Sequence, residues 1–160
     1  MTMQTAVEPV RTSVTVEAPI ERAFEVFTEG FDSWWPRENH NLGAQPLQRA
    51  VLEPREGGRW YEIDANGDEC DWGSVLAYEP PNRVVVSWQI DGNFQLDGDP
   101  ERASEVEVRF TAEGDERTRV ELEHRHLERH GDTAQALRVG VSSEGGWPGL
   151  LEDYARRVAA

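Results

Sequence analysis

Residues 59–88, RWYEIDANGDECDWGSVLAYEPPNRVVVSW, carry the turn signals from which a fold can be argued. Asn66-Gly67 is the strongest short hairpin signal, because a type I′ turn needs positive φ at both central residues. A hairpin centred there predicts Tyr61 opposite Trp72 and Ile63 opposite Cys70. On the other face it sets Trp60 opposite Gly73, where the missing side chain leaves room for an indole. Pro80-Pro81-Asn82 makes the next turn, and the same pairing sets Tyr78 against Val84, Leu76 against Val86 and Ser74 against Trp88. One face then reads Tyr61, Ile63, Cys70, Trp72, Ser74, Leu76, Tyr78, Val84, Val86, Trp88 and Ile90, and it is expected to face the interior.

On the C-terminal side, residues 91–103 form a long loop rich in Gly and Asp but carrying Phe94 and Leu96, a length that makes it either mobile or a cover over something. Two strands follow, with Val106, Val108 and Phe110 inward, then Val120, Leu122, His124 and His126 inward. Their outer face pairs Arg109 with Glu121 and Glu105 with Arg125, while Glu107 opposite Glu123 is a like-charge pair expected to need solvent. Ala134, Leu137 and Val141 make one helical stripe, Gly145-Gly146 interrupt it, and Trp147, Leu150, Leu151, Tyr154 and Val158 make a second. Toward the N-terminus, Val10 to Glu17 alternates as a strand, and Pro19 opens a short helix with Ile20, Ala23, Phe24 and Phe27 on one face. Residues 31–35 make one further helical turn before Pro36. The expectation is an α+β fold: a curved antiparallel sheet wrapped around a long C-terminal helix, with two short helices after the first strand. Residues 1–9 are expected to be flexible and residues 10–158 to form a single domain.

The chain has 160 residues, 31 acidic against 16 basic, and a net charge of -15; every basic residue is Arg. Such a balance argues against nucleic acid and against an anionic membrane surface as partners, since both reward clustered cations. One cysteine, Cys70, permits no internal disulfide, and residues 1–9 carry no leader-like apolar run, so the expected compartment is the cytoplasm.

Several motifs in combination are distinctive. They are Ala18-Pro19-Ile20-Glu21-Arg22-Ala23-Phe24, Trp34-Trp35-Pro36, Glu53-Pro54-Arg55-Glu56-Gly57-Gly58 and Gly73-Ser74-Val75. They continue with Pro80 to Val84 leading into Ser87-Trp88, Thr118 to Leu122, and Gly146-Trp147. On these the chain resembles the START-like (SRPBCC, Bet v1-like) superfamily with its helix-grip fold, and within it the group related to the C-terminal domain of the activator of Hsp90 ATPase. The resemblance runs from about Val10 to Val158. It implies a deep pocket between sheet and C-terminal helix, used across the superfamily for lipids, polyketides and other apolar molecules. The 160 residues hold nothing like the chaperone-binding N-terminal domain of the eukaryotic activator, so chaperone contact is an alternative and not the leading expectation.

The candidate ligand-binding residues are Trp35, Tyr61, Trp72, Ser74, Trp88, Val106, Phe110, His124, Trp147 and Leu151. Trp34, Trp35, Trp72, Trp88 and Trp147 each offer a large rigid face and one N–H donor, and simple core filling competes with that role. His124 could orient a ligand carbonyl or transfer protons, or be a buried neutral histidine satisfied by neighbours. His124 and His126 point the same way by strand parity, but no third ligand is secured, so no metal site is expected. Cys70 reads as a small core residue, since nothing activates its thiol. Glu62, Glu69 and Asp71 read as solvated charge on an exposed hairpin. The loop Arg37-Glu38-Asn39-His40-Asn41 could form a pocket mouth.

The leading expectation is a non-enzymatic protein that binds a small apolar molecule, whether lipid, polyketide or aromatic, in a cavity lined by Trp72, Ser74, Trp88, His124 and Trp147. No cofactor and no catalytic residue is expected, and the chain is read as a monomer or homodimer. One alternative is a polyketide cyclase or aromatase with His124 as acid and base; another is a stress-linked, Hsp90-type co-chaperone-like interaction protein.

Overall fold

The computed structural model describes residues 7–36, 45–93, 95–96 and 99–159. Most of the N-terminal segment, the expected pocket mouth at residues 37–41, and Phe94 lie outside the described residues. Seven strands form one antiparallel sheet in the order β1-β7-β6-β5-β4-β3-β2. They are β1 (Val10–Val16), β2 (Leu47–Leu52), β3 (Arg59–Asp64), β4 (Glu69–Glu79), β5 (Arg83–Trp88), β6 (Ser104–Gly114) and β7 (Arg117–Arg125). Helices α1 (Ile20–Phe27) and α2 (Phe31–Trp34) follow the first strand, and α3 (Ala134–Ser142) and α4 (Trp147–Ala159) end the chain. This is the helix-grip arrangement expected above: the sheet meanders through six consecutive strands, then β1 pairs with β7 and α4 packs on the inner face.

The apolar stripe of α4 is the one read from sequence: Trp147, Leu150, Leu151, Tyr154 and Val158 are all buried. The Tyr154 hydroxyl donates to the Ala23 carbonyl at 2.6 Å, and Arg22 Nε donates to the Val158 carbonyl at 3.1 Å, tying α4 to α1. Phe27 meets both Tyr154 and Phe110 edge to face, so the two short helices and the sheet share one aromatic core.

Register holds in the C-terminal strands. Val106 pairs with His124, Val108 with Leu122, Arg109 with Glu121 and Glu105 with Arg125. Glu107 does face Glu123, but it is not solvated. Its side chain is 4% exposed and accepts from Arg83, Arg109 and Arg125. Burial alone would raise its carboxyl pKa, yet the three guanidiniums outweigh that and hold it at about 2.

Two bulges correct the expected inner face. Trp60 pairs with Gly73 as expected, but Tyr61 then pairs with Asp71, so Trp72 and Gly73 together face one residue of β3. The cause is the turn. Gly67 N–H donates to the Asp64 carbonyl and Asp64 N–H to the Asp68 carbonyl, which makes a three-residue loop ending on Gly67 at φ +84. Asp64 Oδ1 holds that loop by accepting from the amides of Asn66 and Asp68. Trp60, Glu62 and Asp64 therefore point inward, while Tyr61 and Ile63 are half-buried on the other face. Arg59 stacks on the outer Tyr61 ring at 3.9 Å.

The second bulge lies between Val75 and Ala77, so that Tyr78 pairs with Val84 as expected but Val75, not Leu76, pairs with Val86. Between the bulges the parity of β4 is inverted: Val75 is buried, Leu76 is 43% exposed, and Ser74 turns to the Ser87 hydroxyl instead of facing Trp88. At Gly73 an added Cβ would lie 1.9 Å from the Ser87 carbonyl oxygen, so this close approach of β4 to β5 requires glycine.

Candidate functional site

Five tryptophans from five different elements close into a cycle inside the fold. Trp35 follows α2, Trp72 lies on β4, Trp60 on β3, Trp88 ends β5 and Trp147 opens α4. Ring centroids stand 5.1 Å apart for Trp35 and Trp72, 5.3 Å for Trp72 and Trp60, and 5.6 Å for Trp60 and Trp88. The cycle closes with 5.5 Å between Trp88 and Trp147 and 6.3 Å between Trp147 and Trp35. All contacts are tilted or edge to face, the geometry ring quadrupoles favour, each worth roughly 0.5–1.5 kcal/mol beyond area burial. Phe31 packs against Trp35, Trp60 and Trp72, and the sixth indole, Trp34, joins Phe31, Trp35 and Tyr154.

Among the described residues, the space expected between sheet and α4 is represented by a small void beside the rings. The enclosed space touching Phe31, Trp60, Val84, Val86, Val106, Val108 and Trp147 amounts to about 10 Å³. That is room for one water at most. The rings expected to line a cavity pack on one another, each inward indole of the cycle meeting two others.

Five of the six indole N–H groups can be followed individually. Trp34 donates to the Val26 carbonyl at 3.1 Å, Trp72 to Glu62 Oε1 at 2.8 Å, Trp88 to the Ile90 carbonyl at 2.7 Å, and Trp147 to His124 Nδ1 at 3.0 Å. Trp60 Nε1 is buried and has no hydrogen-bond partner among the described residues.

His124 is wholly buried between Trp88 and Trp147. Burial, with a smaller contribution from His130, lowers its pKa to about 3, so the ring is neutral. An indole can only donate, hence Nδ1 is the accepting nitrogen and the ring proton sits on Nε2. That proton faces Ser104 Oγ at 2.8 Å, and the Ser104 hydroxyl in turn lies 2.7 Å from His130 Nε2. Both nitrogens of His124 are engaged, which makes it an orienting group for Trp147 and Ser104. His126, at φ 61, leaves the strand and is exposed, so the parity that paired it with His124 does not hold; the second buried histidine is His130.

Of the sequence candidates, Trp35, Trp72, Trp88 and Trp147 come together in the cycle, with His124 against two of its members. Val106 borders the small void, Leu151 is buried on α4, and Phe110 lies among Phe24 and Phe27. Tyr61 and Ser74 are corrections, since the bulges turn both away from the rings. Cys70 is half-buried, and burial, then the charges of Glu62 and Asp71, push its thiol up, which makes it a poor nucleophile. Glu69 and Asp71 are exposed, as read from sequence, and pair with Arg59, but Glu62 is fully buried.

Trp60, Glu62, Ser104 and His130 escape sequence reasoning as site residues. The space that Gly73 leaves for Trp60 is a usable signal for the first, and it places Glu62 on the same face by alternation. Ser104 and His130 meet across 26 residues with no periodic signal. Among the described residues, no group of three His, Cys, Asp or Glu could hold a metal ion, and no helix is long and apolar enough to cross a membrane.

A seven-stranded antiparallel sheet gripping one C-terminal helix, with an aromatic interior, defines an SRPBCC protein of the helix-grip class. The chain belongs to the activator of Hsp90 ATPase homolog 1-like family, whose model matches residues 17–156. Among solved structures it is similar to the anthrahydroquino-γ-pyrone synthase Txn09, at 41% identity over 94% of this chain and 97% of that one, with a TM-score of 0.65. It is also similar to CalC from Micromonospora echinospora, described as a self-sacrificing resistance protein, at 36% identity over 94% of this chain and 93% of that one, with a TM-score of 0.64. No curated protein matches the chain.

Proposed function

We propose that the protein binds a planar, polycyclic aromatic molecule of the polyketide class within the tryptophan cycle, and that it does so without catalysis. The observation that carries this is the closed cycle of five indoles. The void beside the cycle holds only about 10 Å³, so a ligand entering there takes the place of a side chain. An aromatic ligand replaces the lost ring contacts with equivalent ones, whereas a lipid tail would forfeit their quadrupolar part. The 41% identical relative named as an anthrahydroquino-γ-pyrone synthase supports the ligand class. The neutral, doubly bonded His124 supports binding alone over acid–base chemistry. The reading treats residues 10–158 as one domain acting in the cytoplasm as monomer or homodimer.

Tryptophan fluorescence tests it. Saturable, one-to-one quenching by an anthraquinone, with no saturable change on adding palmitate, is the expected outcome. The reverse selectivity would assign the interior to lipids instead.

A second reading, pyrone- or ring-forming catalysis, is favoured by the 41% identical synthase. Glu62, buried beside Trp72, is the carboxylate such chemistry would use. Recovery of the ligand chemically unchanged supports binding alone; conversion that is lost in Glu62→Gln supports catalysis. The co-chaperone alternative rests on the family's description alone.

A further inference from the structure

Trp60 stands out in the interior as an indole donor with nothing to donate to. Its side chain is 1% exposed, its Nε1 has no acceptor among the described residues, and its ring borders the 10 Å³ void. The four other indole donors assigned above each meet a carbonyl, a carboxylate or an imidazole. A buried donor left unsatisfied loses its water without recompense, so natural interiors rarely keep one.

Water is a poor remedy here. The remaining lining of the void is Phe27, Phe31, Leu52, Trp147 and the valines of β5 and β6, all hydrocarbon or ring surface. No polar atom opens onto the void, so a water there would lack the two to four polar partners that hold a buried water in place. What suits the site is an acceptor oxygen that brings its own apolar body.

From this we infer that Trp60 Nε1–H is the hydrogen-bond donor for a carbonyl oxygen of the ligand. The ligand class is then a keto-, quinone- or pyrone-bearing polycycle, not an aromatic hydrocarbon. The inference rests on the proposed binding of polycyclic aromatics and adds the polar contact that sets the ligand's orientation. Trp60 thus selects oxygenated rings, while the rest of the cycle supplies stacking.

The test uses 2-hydroxymethylanthraquinone and 2-hydroxymethylanthracene, a neutral pair that differs only in the two carbonyl groups, titrated into the wild type and Trp60→Phe. The wild type is expected to bind the quinone about tenfold more tightly than the hydrocarbon, and Trp60→Phe to bind the two alike, with the lost indole face lowering its affinity for both. Equal affinity of both ligands for both proteins would overturn the inference and leave the binding of aromatics intact. Failure of both ligands to bind the wild type would overturn the two together. The smaller ring leaves a gap beside Phe31, Trp72 and Trp88, so the variant is expected to melt below the wild-type temperature. Should it fail to fold, the wild-type Trp60 indole proton decides by nuclear magnetic resonance. A downfield shift with the quinone and none with the hydrocarbon supports the inference, and identical responses overturn it.

Discussion

Trp147 Nε1–H donates to His124 Nδ1 at 3.0 Å inside the fold, and this bond places the imidazole proton on Nε2. The first residue of α4 and an inward residue of β7 are thereby locked together, with Ser104 of β6 on the far side of the ring. The helix is gripped by a polar contact as well as by apolar packing.

Protonation of His124 should be invisible near neutral pH. Its folded pKa of about 3 lies below the ordinary 6.5, so the unfolded chain binds the extra proton first as pH falls. The stability it contributes is complete above about pH 6.5 and is lost as pH falls toward 3. Urea unfolding at pH 7 and pH 5 should differ by on the order of 2 kcal/mol from this group. Nitrogen-15 spectra should show the Nε2–H tautomer unchanged between about pH 8 and pH 5; a histidine titrating with a midpoint near 6.5 at this position would refute the assignment.

Glu107 titrates in a separate, lower window. Its carboxyl is held at about 2 against an ordinary 4.5, so its stabilisation is present above pH 4.5 and lost as pH falls through 2. Replacing it by Gln should cost on the order of 2 kcal/mol at pH 7, and the gap to the wild type should close near pH 2. A constant gap across that range would mean that charge is not what Glu107 contributes.

Gly73 has no tolerance for a side chain. In Gly73→Ala the new Cβ would collide with the Ser87 backbone, and β4 must separate from β5. Destabilisation above about 2 kcal/mol by denaturant titration is expected. Alanine at Gly114, where an added Cβ would meet nothing within 4 Å, should cost far less.

Glu62 and Trp72 should behave as a matched pair. Glu62→Gln keeps an acceptor for the indole and should be mild, whereas Glu62→Leu strands the Trp72 N–H and should cost roughly 1–3 kcal/mol. Equal costs for the two variants would show that the hydrogen bond is not what matters.

Most of the architecture is legible in the sequence because it depends on apolar periodicity and on the order of turns. The stripe from Trp147 to Val158, the alternation of Val106, Val108 and Phe110, and the register of His124 against Val106 all follow from it and all hold in the fold. The interior of β3 and β4 does not. A bulge inverts parity, and its cause, Asp64 holding a three-residue loop through two backbone amides, competes with the Asn66-Gly67 signal that a two-residue turn would give. Apolarity also misleads: Tyr61 and Ile63 look more like core than Trp60 and Glu62 do when Glu62's partner, Trp72, is still unknown. For the same reason the size of the cavity cannot be read, because whether five indoles surround space or fill it depends on distances that only the folded chain sets.

Whether an aromatic ligand enters the tryptophan cycle is decided by intermolecular nuclear Overhauser contacts with bound 2-hydroxymethylanthraquinone. Contacts from the ligand's ring protons to the indoles of Trp60, Trp88 and Trp147 and to the methyls of Val106 and Val108 are the expected result. Contacts confined to exposed residues, with the interior indoles unmoved at saturation, would contradict it.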